Sequence, residues 1–70
     1  MKKNEQIIEL LGGKEAIAET LGISRGAVYL WFYDKPKGSG GKIPATRAIQ
    51  IYELAIKKGI DCTIQDIVGE

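Results

Sequence analysis

Apolar positions fall into short clusters with helical spacing, and glycine separates most of them. Ile7, Ile8, Leu10 and Leu11 form the first cluster, and Ile17, Ala18 and Leu21 the second. Val28, Trp31 and Phe32 form the third. Ala48, Ile51, Tyr52 and Ala55, with Ile49 at the margin, form the fourth, and Ile60, Ile64, Ile67 and Val68 close the series. Recurrence at intervals of three and four places such residues on one face of an α-helix. The pattern predicts helices over 5–11, 14–21, 25–33 and 44–58, with a last short turn over 64–68. The breaks between them agree. Asn4 suits an N-cap for the first helix, and Gly12-Gly13 ends it. Gly22 stops the second helix, where a left-handed residue is wanted and glycine meets no Cβ penalty. Ser24 stands where the next N-cap belongs. Pro44 suits the first turn of the fourth helix, and Gly59 follows its end. Thr63 and Asp66 have the spacing of a capping box. Residues 1–3 read as a frayed basic arm, 60–62 as extended chain, and 34–42 (DKPKGSGGK) as a flexible loop.

Residues 14–33 organise the rest. Two short helices are joined by a tight Gly22-Ile23-Ser24 turn. Ala18 is small where the helices must approach, and Ile23 fills the angle between them. This is the pattern of a helix-turn-helix, whose second helix enters the major groove of DNA. Through Ala18, Gly22, Ile23, Ser24, Val28 and Trp31 it resembles the helix-turn-helix of phage Cro-type repressors and the related YdaS-like antitoxins. A second match, Lys42-Ile43-Pro44-Ala45-Thr46-Arg47-Ala48, resembles the I-P-x-x-R-A element that opens the next helix in that family. Leu11-Gly12-Gly13 resembles the family's entry into the motif. Two features depart from it. The loop at 34–42 is longer than the family's turn, and Leu30 stands where glutamine or another polar residue is common. The resemblance implies an all-α, lambda repressor-like fold of four to five helices, a single DNA-binding domain over 1–70, and repression of transcription. Its antitoxin branch implies a toxin partner besides DNA.

Composition narrows the alternatives. Seventy residues make one small domain with a marginal core, to which dimerisation commonly adds. There is one cysteine, Cys62, and no histidine, so an intrachain disulfide is impossible and a zinc site has almost no ligands. Cys62 reads as a small buried apolar residue. No Ser/His or Cys/His pairing, H-E-x-x-H or Walker loop is present, and the GSGGK at 38–42 lacks phosphate-loop spacing and a preceding strand. The expectation is a non-enzyme with no cofactor and no metal. No run is long enough to span a membrane and the first residues lack a signal peptide's apolar core, so no membrane role is expected. The expected compartment is the cytoplasm, and by the family resemblance the bacterial cytoplasm or nucleoid. A net charge of +1 says little, but its distribution says more. Between Thr20 and Tyr52, Arg25, Lys35, Lys37, Lys42 and Arg47 stand against Asp34 alone, while the other acids lie towards the two ends.

On helix 25–33, at ~100° per residue, Ala27, Val28, Trp31 and Phe32 fall on one side and Arg25, Gly26, Tyr29, Leu30 and Tyr33 on the other. The first set is the core face, Trp31 included. The second is the candidate DNA-binding face. The Arg25 fork matches the O6 and N7 acceptors of guanine, or it clamps a phosphate. Tyr29, one turn on, can stack on sugar or bond a phosphate or base edge. Leu30 can touch a thymine methyl. Tyr33 and Lys35 are candidate backbone contacts, with Lys37 and Lys42 in the same loop, which follows a phosphate strand or is a solvated insertion. Ser24 caps the helix, with or without a phosphate contact. Gly26 reflects chance or a close approach to DNA. Lys14 and Thr20, at the ends of the preceding helix, are placed to hold it across the phosphates. Arg47 contacts phosphate or pairs within the chain. A lone module of this size binds weakly, so a homodimer on a palindromic operator is expected, joined through the fourth helix or the C-terminal segment. A different class of function, a helix-turn-helix used as a protein-interaction module, would use Tyr29, Leu30 and Tyr33 as an apolar strip. The nearby basic residues favour double-stranded DNA.

Overall fold

Five α-helices, and no strand, account for the regular structure of residues 3–69, the part of the chain this computed structural model describes. They are α1 (Lys3–Leu10), α2 (Lys14–Leu21), α3 (Arg25–Leu30), α4 (Ala45–Lys57) and α5 (Ile64–Val68). The all-α helix-turn-helix fold expected from the sequence is present. α2 packs chiefly on α3, α4 on α5, and α1 on α5 and α2, so the two ends of the described chain meet. Ile8, Ile17, Val28, Ile43, Ile51 and Ile67 are fully buried at the centre, with Ala48 and Ala55 letting α4 approach closely. Cys62 is buried among them, as expected.

Three helices end in the same way. In α1 the N–H of Gly13 donates to Ile8 O and that of Gly12 to Glu9 O. Ile23 and Gly22 do this at the end of α2, on Ala18 O and Glu19 O, and Ile60 and Gly59 at the end of α4, on Ala55 O and Ile56 O. This is the Schellman arrangement, which satisfies the last carbonyls of a helix. Gly22 adopts the left-handed conformation it requires, at φ 70°. α5 opens on the expected capping box: the Thr63 hydroxyl accepts from Asp66 N, and the Asp66 carboxylate accepts from Thr63 N at 2.9 Å.

Several expectations need correction. Lys3 and Asn4 are both helical, so Asn4 lies inside α1 and is not its cap. It is the one buried polar side chain among the described residues. Its Nδ2 donates to Gly41 O at 2.7 Å and to Ile67 O at 3.2 Å, and its Oδ1 accepts from Glu5 N. The amide thus ties α1 to α5 and to the segment before α4. Lys3, expected in a frayed arm, is helical and lies 3.7 Å from Asp66; the rest of that arm, Met1 and Lys2, lies outside the described residues. Leu10 and Ile49 point outward, 70% and 50% exposed, because each falls off the buried stripe of its helix. α4 begins at Ala45, with Pro44 as the capping residue in extended geometry rather than in the first turn. Residues 60–62 carry no regular structure.

α3 stops at Leu30, three residues earlier than the spacing suggested, and the loop after it explains why. Trp31, Phe32 and Tyr33 tighten into i to i−3 bonds. The chain then turns back on the helix end. Ser39 N donates to Leu30 O, Gly40 N to Tyr33 O at 2.9 Å, and Gly41 N to Trp31 O at 2.7 Å. The loop at 34–42 is therefore an ordered cap on α3, not a flexible excursion. A Cβ on Gly38 would collide with Leu30 O and lie 2.6 Å from Tyr33 O, so only glycine fits under this seam.

Candidate nucleic-acid interface

The local sequence builds the presenting surface from the turn outward. The Schellman close at Gly22 reverses the chain, and Ile23 is tucked against the core. Ser24 then takes an extended conformation and its Oγ accepts from Ala27 N at 3.2 Å, which starts α3 one residue later. Val28 and Trp31 turn inward, 0% and 6% exposed. That leaves Ser24, Arg25, Gly26, Ala27, Tyr29, Leu30 and Tyr33 lining one shallow surface groove. Tyr29, Leu30 and Tyr33 are 37%, 45% and 51% exposed there. Contiguous apolar side chains left open beside charged ones make this groove the candidate recognition surface.

The basic candidates separate into three settings. Arg25 is exposed and its Nη1 lies 3.3 Å from Glu15 Oε1, which is equally exposed. Such a surface pair is worth only ~0–1 kcal/mol, so the guanidinium is held near the groove but not locked. Lys35, Lys37 and Lys42 are exposed along the ordered loop, and Lys37 lines a second cleft with Phe32, Tyr33 and Asp34. The seating of the loop on α3 fixes where these lysines start from. Lys14 is different. Its ammonium sits 3.3 Å from Glu5 Oε2 and over the rings of Tyr29 and Phe32, at 5.6 and 5.0 Å from their centroids. Thr20 is exposed near the end of α2. Arg47 donates to the Gln50 side-chain oxygen at 3.0 Å, so its partner is an amide rather than the carboxylate of an ion pair.

Sequence reasoning missed three participants. Glu15 and Glu5 face Arg25 and Lys14 across the motif, ten and nine positions away in the chain. Helical periodicity does not report such pairs. Gly38 showed only as loop composition, although it lets the loop close on α3. Away from this surface, the Thr63 N–H holds the Asp66 carboxyl below its ordinary range, and burial pushes the Cys62 thiol up.

Among the described residues no group of side chains could hold a metal ion, and no helix is long and apolar enough to cross a membrane. The model of a protein family described as DNA-binding transcriptional regulator Cro matches residues 3–57, a span that takes in α1 to α4. No curated protein and no solved structure matches the chain.

Proposed function

Since the chain belongs to the Cro family of DNA-binding transcriptional regulators, with double-stranded DNA as its partner, we propose that it represses transcription by seating α3 in the major groove of an operator. The observation that carries this reading is the single groove shared by Ser24, Arg25, Gly26, Tyr29, Leu30 and Tyr33 on the outward side of α3. Arg25 supplies the guanine or phosphate contact, because its exposed link to Glu15 exchanges readily for a stronger acceptor. Tyr29 and Leu30 offer a ring and a methyl-sized apolar surface to base edges and thymine. Gly26 keeps the helix start bare: a Cβ there would meet only the Ser24 hydroxyl, at 3.9 Å, so nothing inside the fold demands glycine and a close approach to DNA does. Lys35, Lys37, Lys42 and Tyr33 follow the flanking phosphates, and Thr20 holds α2 across the backbone.

Two copies on a palindrome multiply these contacts, and the outer face of α4 offers a seam for them. Ile49 and Ile56, seven positions apart and each 50% exposed, share that face. Selection from a random duplex library at near-physiological salt tests the whole reading, with Arg25→Ala and Tyr29→Ala run beside the parent. A palindromic consensus is expected. Each variant should relax the preference at its own base positions by ~1–3 kcal/mol. Enrichment of a single half-site, with one chain per duplex at every concentration, would remove the dimer. No enrichment at all would remove the repressor reading and direct the search to a protein partner such as a toxin.

A further inference from the structure

We propose that Lys14 is a positioning residue for Tyr29 and makes no phosphate contact of its own. The inference rests on the reading of α3 as the helix that meets DNA. Its ground is the setting of the Lys14 ammonium, which is satisfied from three sides by the fold itself. Glu5 of α1 supplies a carboxylate oxygen at 3.3 Å, and Tyr29 and Phe32 present ring faces with centroids at 5.6 and 5.0 Å. Ring faces carry negative potential and attract a cation, more strongly as water is excluded. Water is substantially excluded here. The Lys14 side chain is 20% exposed and that of Glu5 26%, against 69% and 68% for Arg25 and Glu15.

The contrast between the two ion pairs decides the roles. The exposed pair gives up Arg25 at little cost. To reach a phosphate, Lys14 would leave a part-buried carboxylate without its partner and vacate two ring faces together. The same charge joins α1, α2, α3 and the turn after α3. Of the groups around it, Tyr29 is the one that also lines the outward groove. Lys14 therefore holds the Tyr29 ring before DNA arrives, and a side chain already ordered loses less freedom on binding.

The test is the salt dependence of binding, measured with the sequence preference, for the parent, Lys14→Met and Lys14→Arg on the operator selected above. Circular dichroism confirms folding of each. A phosphate contact contributes ~0.9 to the slope of log K against log salt. Lys14→Met is expected to leave that slope unchanged, to weaken binding roughly two- to tenfold through the lost ordering of one side chain, and to relax the same base positions as Tyr29→Ala. In a Tyr29→Ala background the substitution should cost nothing further. Lys14→Arg, which keeps the cation over the rings, should restore the preference. A slope lower by ~0.9 with preference intact would overturn the proposal and make Lys14 a phosphate contact. Unchanged slope and unchanged preference would overturn it as well. Should Lys14→Met not fold, Glu5→Gln with Lys14→Gln removes both charges together and keeps the test. A parent protein that selects no sequence would defeat the reading of α3 itself, an outcome distinct from either failure of Lys14.

Discussion

Replacing Gly38 by alanine should destabilise the domain, although the same change in most loops is mild. The added Cβ would collide with Leu30 O and come within 2.6 Å of Tyr33 O and 2.7 Å of Tyr33 Cβ. These are two backbone oxygens and a first side-chain carbon, so no rotamer change relieves the contact. The loop must lift. Lifting it strains the bonds from Ser39, Gly40 and Gly41 to the end of α3, at 3.1, 2.9 and 2.7 Å. A backbone hydrogen bond contributes ~1 kcal/mol net, so losing or distorting all of them costs ~2–3 kcal/mol. Reduced freedom of the unfolded chain returns ~0.4–1 kcal/mol. The net loss is ~2 kcal/mol, which in a chain of this length lowers Tm by roughly 8–16 °C. Thermal unfolding followed by circular dichroism measures it.

Gly26→Ala is the internal control. Its Cβ has open space, and alanine is favoured over glycine in a helix by up to ~1 kcal/mol. That variant should hold or raise Tm while weakening operator binding. Opposite signs of stability at the two glycines are the signature of a loop seated on α3. A Gly38→Ala protein that melts within a degree or so of the parent would refute the cap.

Three further outcomes follow from particular contacts. Asn4→Ala leaves two buried carbonyls, Gly41 O and Ile67 O, without their donor; a loss of ~2–4 kcal/mol is expected in urea unfolding, and a loss below ~0.5 kcal/mol would mean the amide is not structural. Asp66 has a lowered carboxyl in the folded chain, so its contribution is complete above the unfolded value and disappears as pH falls through the folded one. The parent should lose stability below about pH 4 more steeply than Asp66→Asn, and identical acid profiles would count against the capping box as the cause. Glu15→Gln frees Arg25 from its only charged neighbour among the described contacts and should tighten operator binding by up to about fivefold at low salt, with the gain fading as salt rises; weaker binding would show that Glu15 orients Arg25 rather than competing for it.

Much of this architecture is legible because it is local. The ends of α2 and α4, the Ser24 cap, the Thr63–Asp66 box and the inward set Ile17, Ala18, Val28 and Trp31 each follow from residues within one or two turns of each other. Spacing and cap chemistry are sufficient there. The outward set on α3 is legible for the same reason, save that Ala27, expected on the core face, also lines the groove. Asn4 shows the limit. Asparagine ahead of an apolar run is a good cap by local preference, and only contact with residues 37 and 63 positions away makes it a core donor instead.

The loop at 34–42 carries that limit into the function. Glycine, serine and lysine in sequence describe a chain with little intrinsic order, and nothing in composition distinguishes a tether from a cap. The distinction lies in where the backbone donors go. Here they go to the carbonyls of Leu30, Trp31 and Tyr33, at the end of α3 and in the turn after it. The glycines that make the loop look mobile are what let it lie flat against the helix, and Gly38 leaves no room for a side chain. A helix as short as α3, of six residues, has little stability of its own. It is held at its start by Ser24, along its inner face by Val28, at Tyr29 by Lys14, and at its end by this loop. The loop therefore adds support to the element that carries Arg25 and Tyr29, and it bears the exposed Lys35, Lys37 and Lys42.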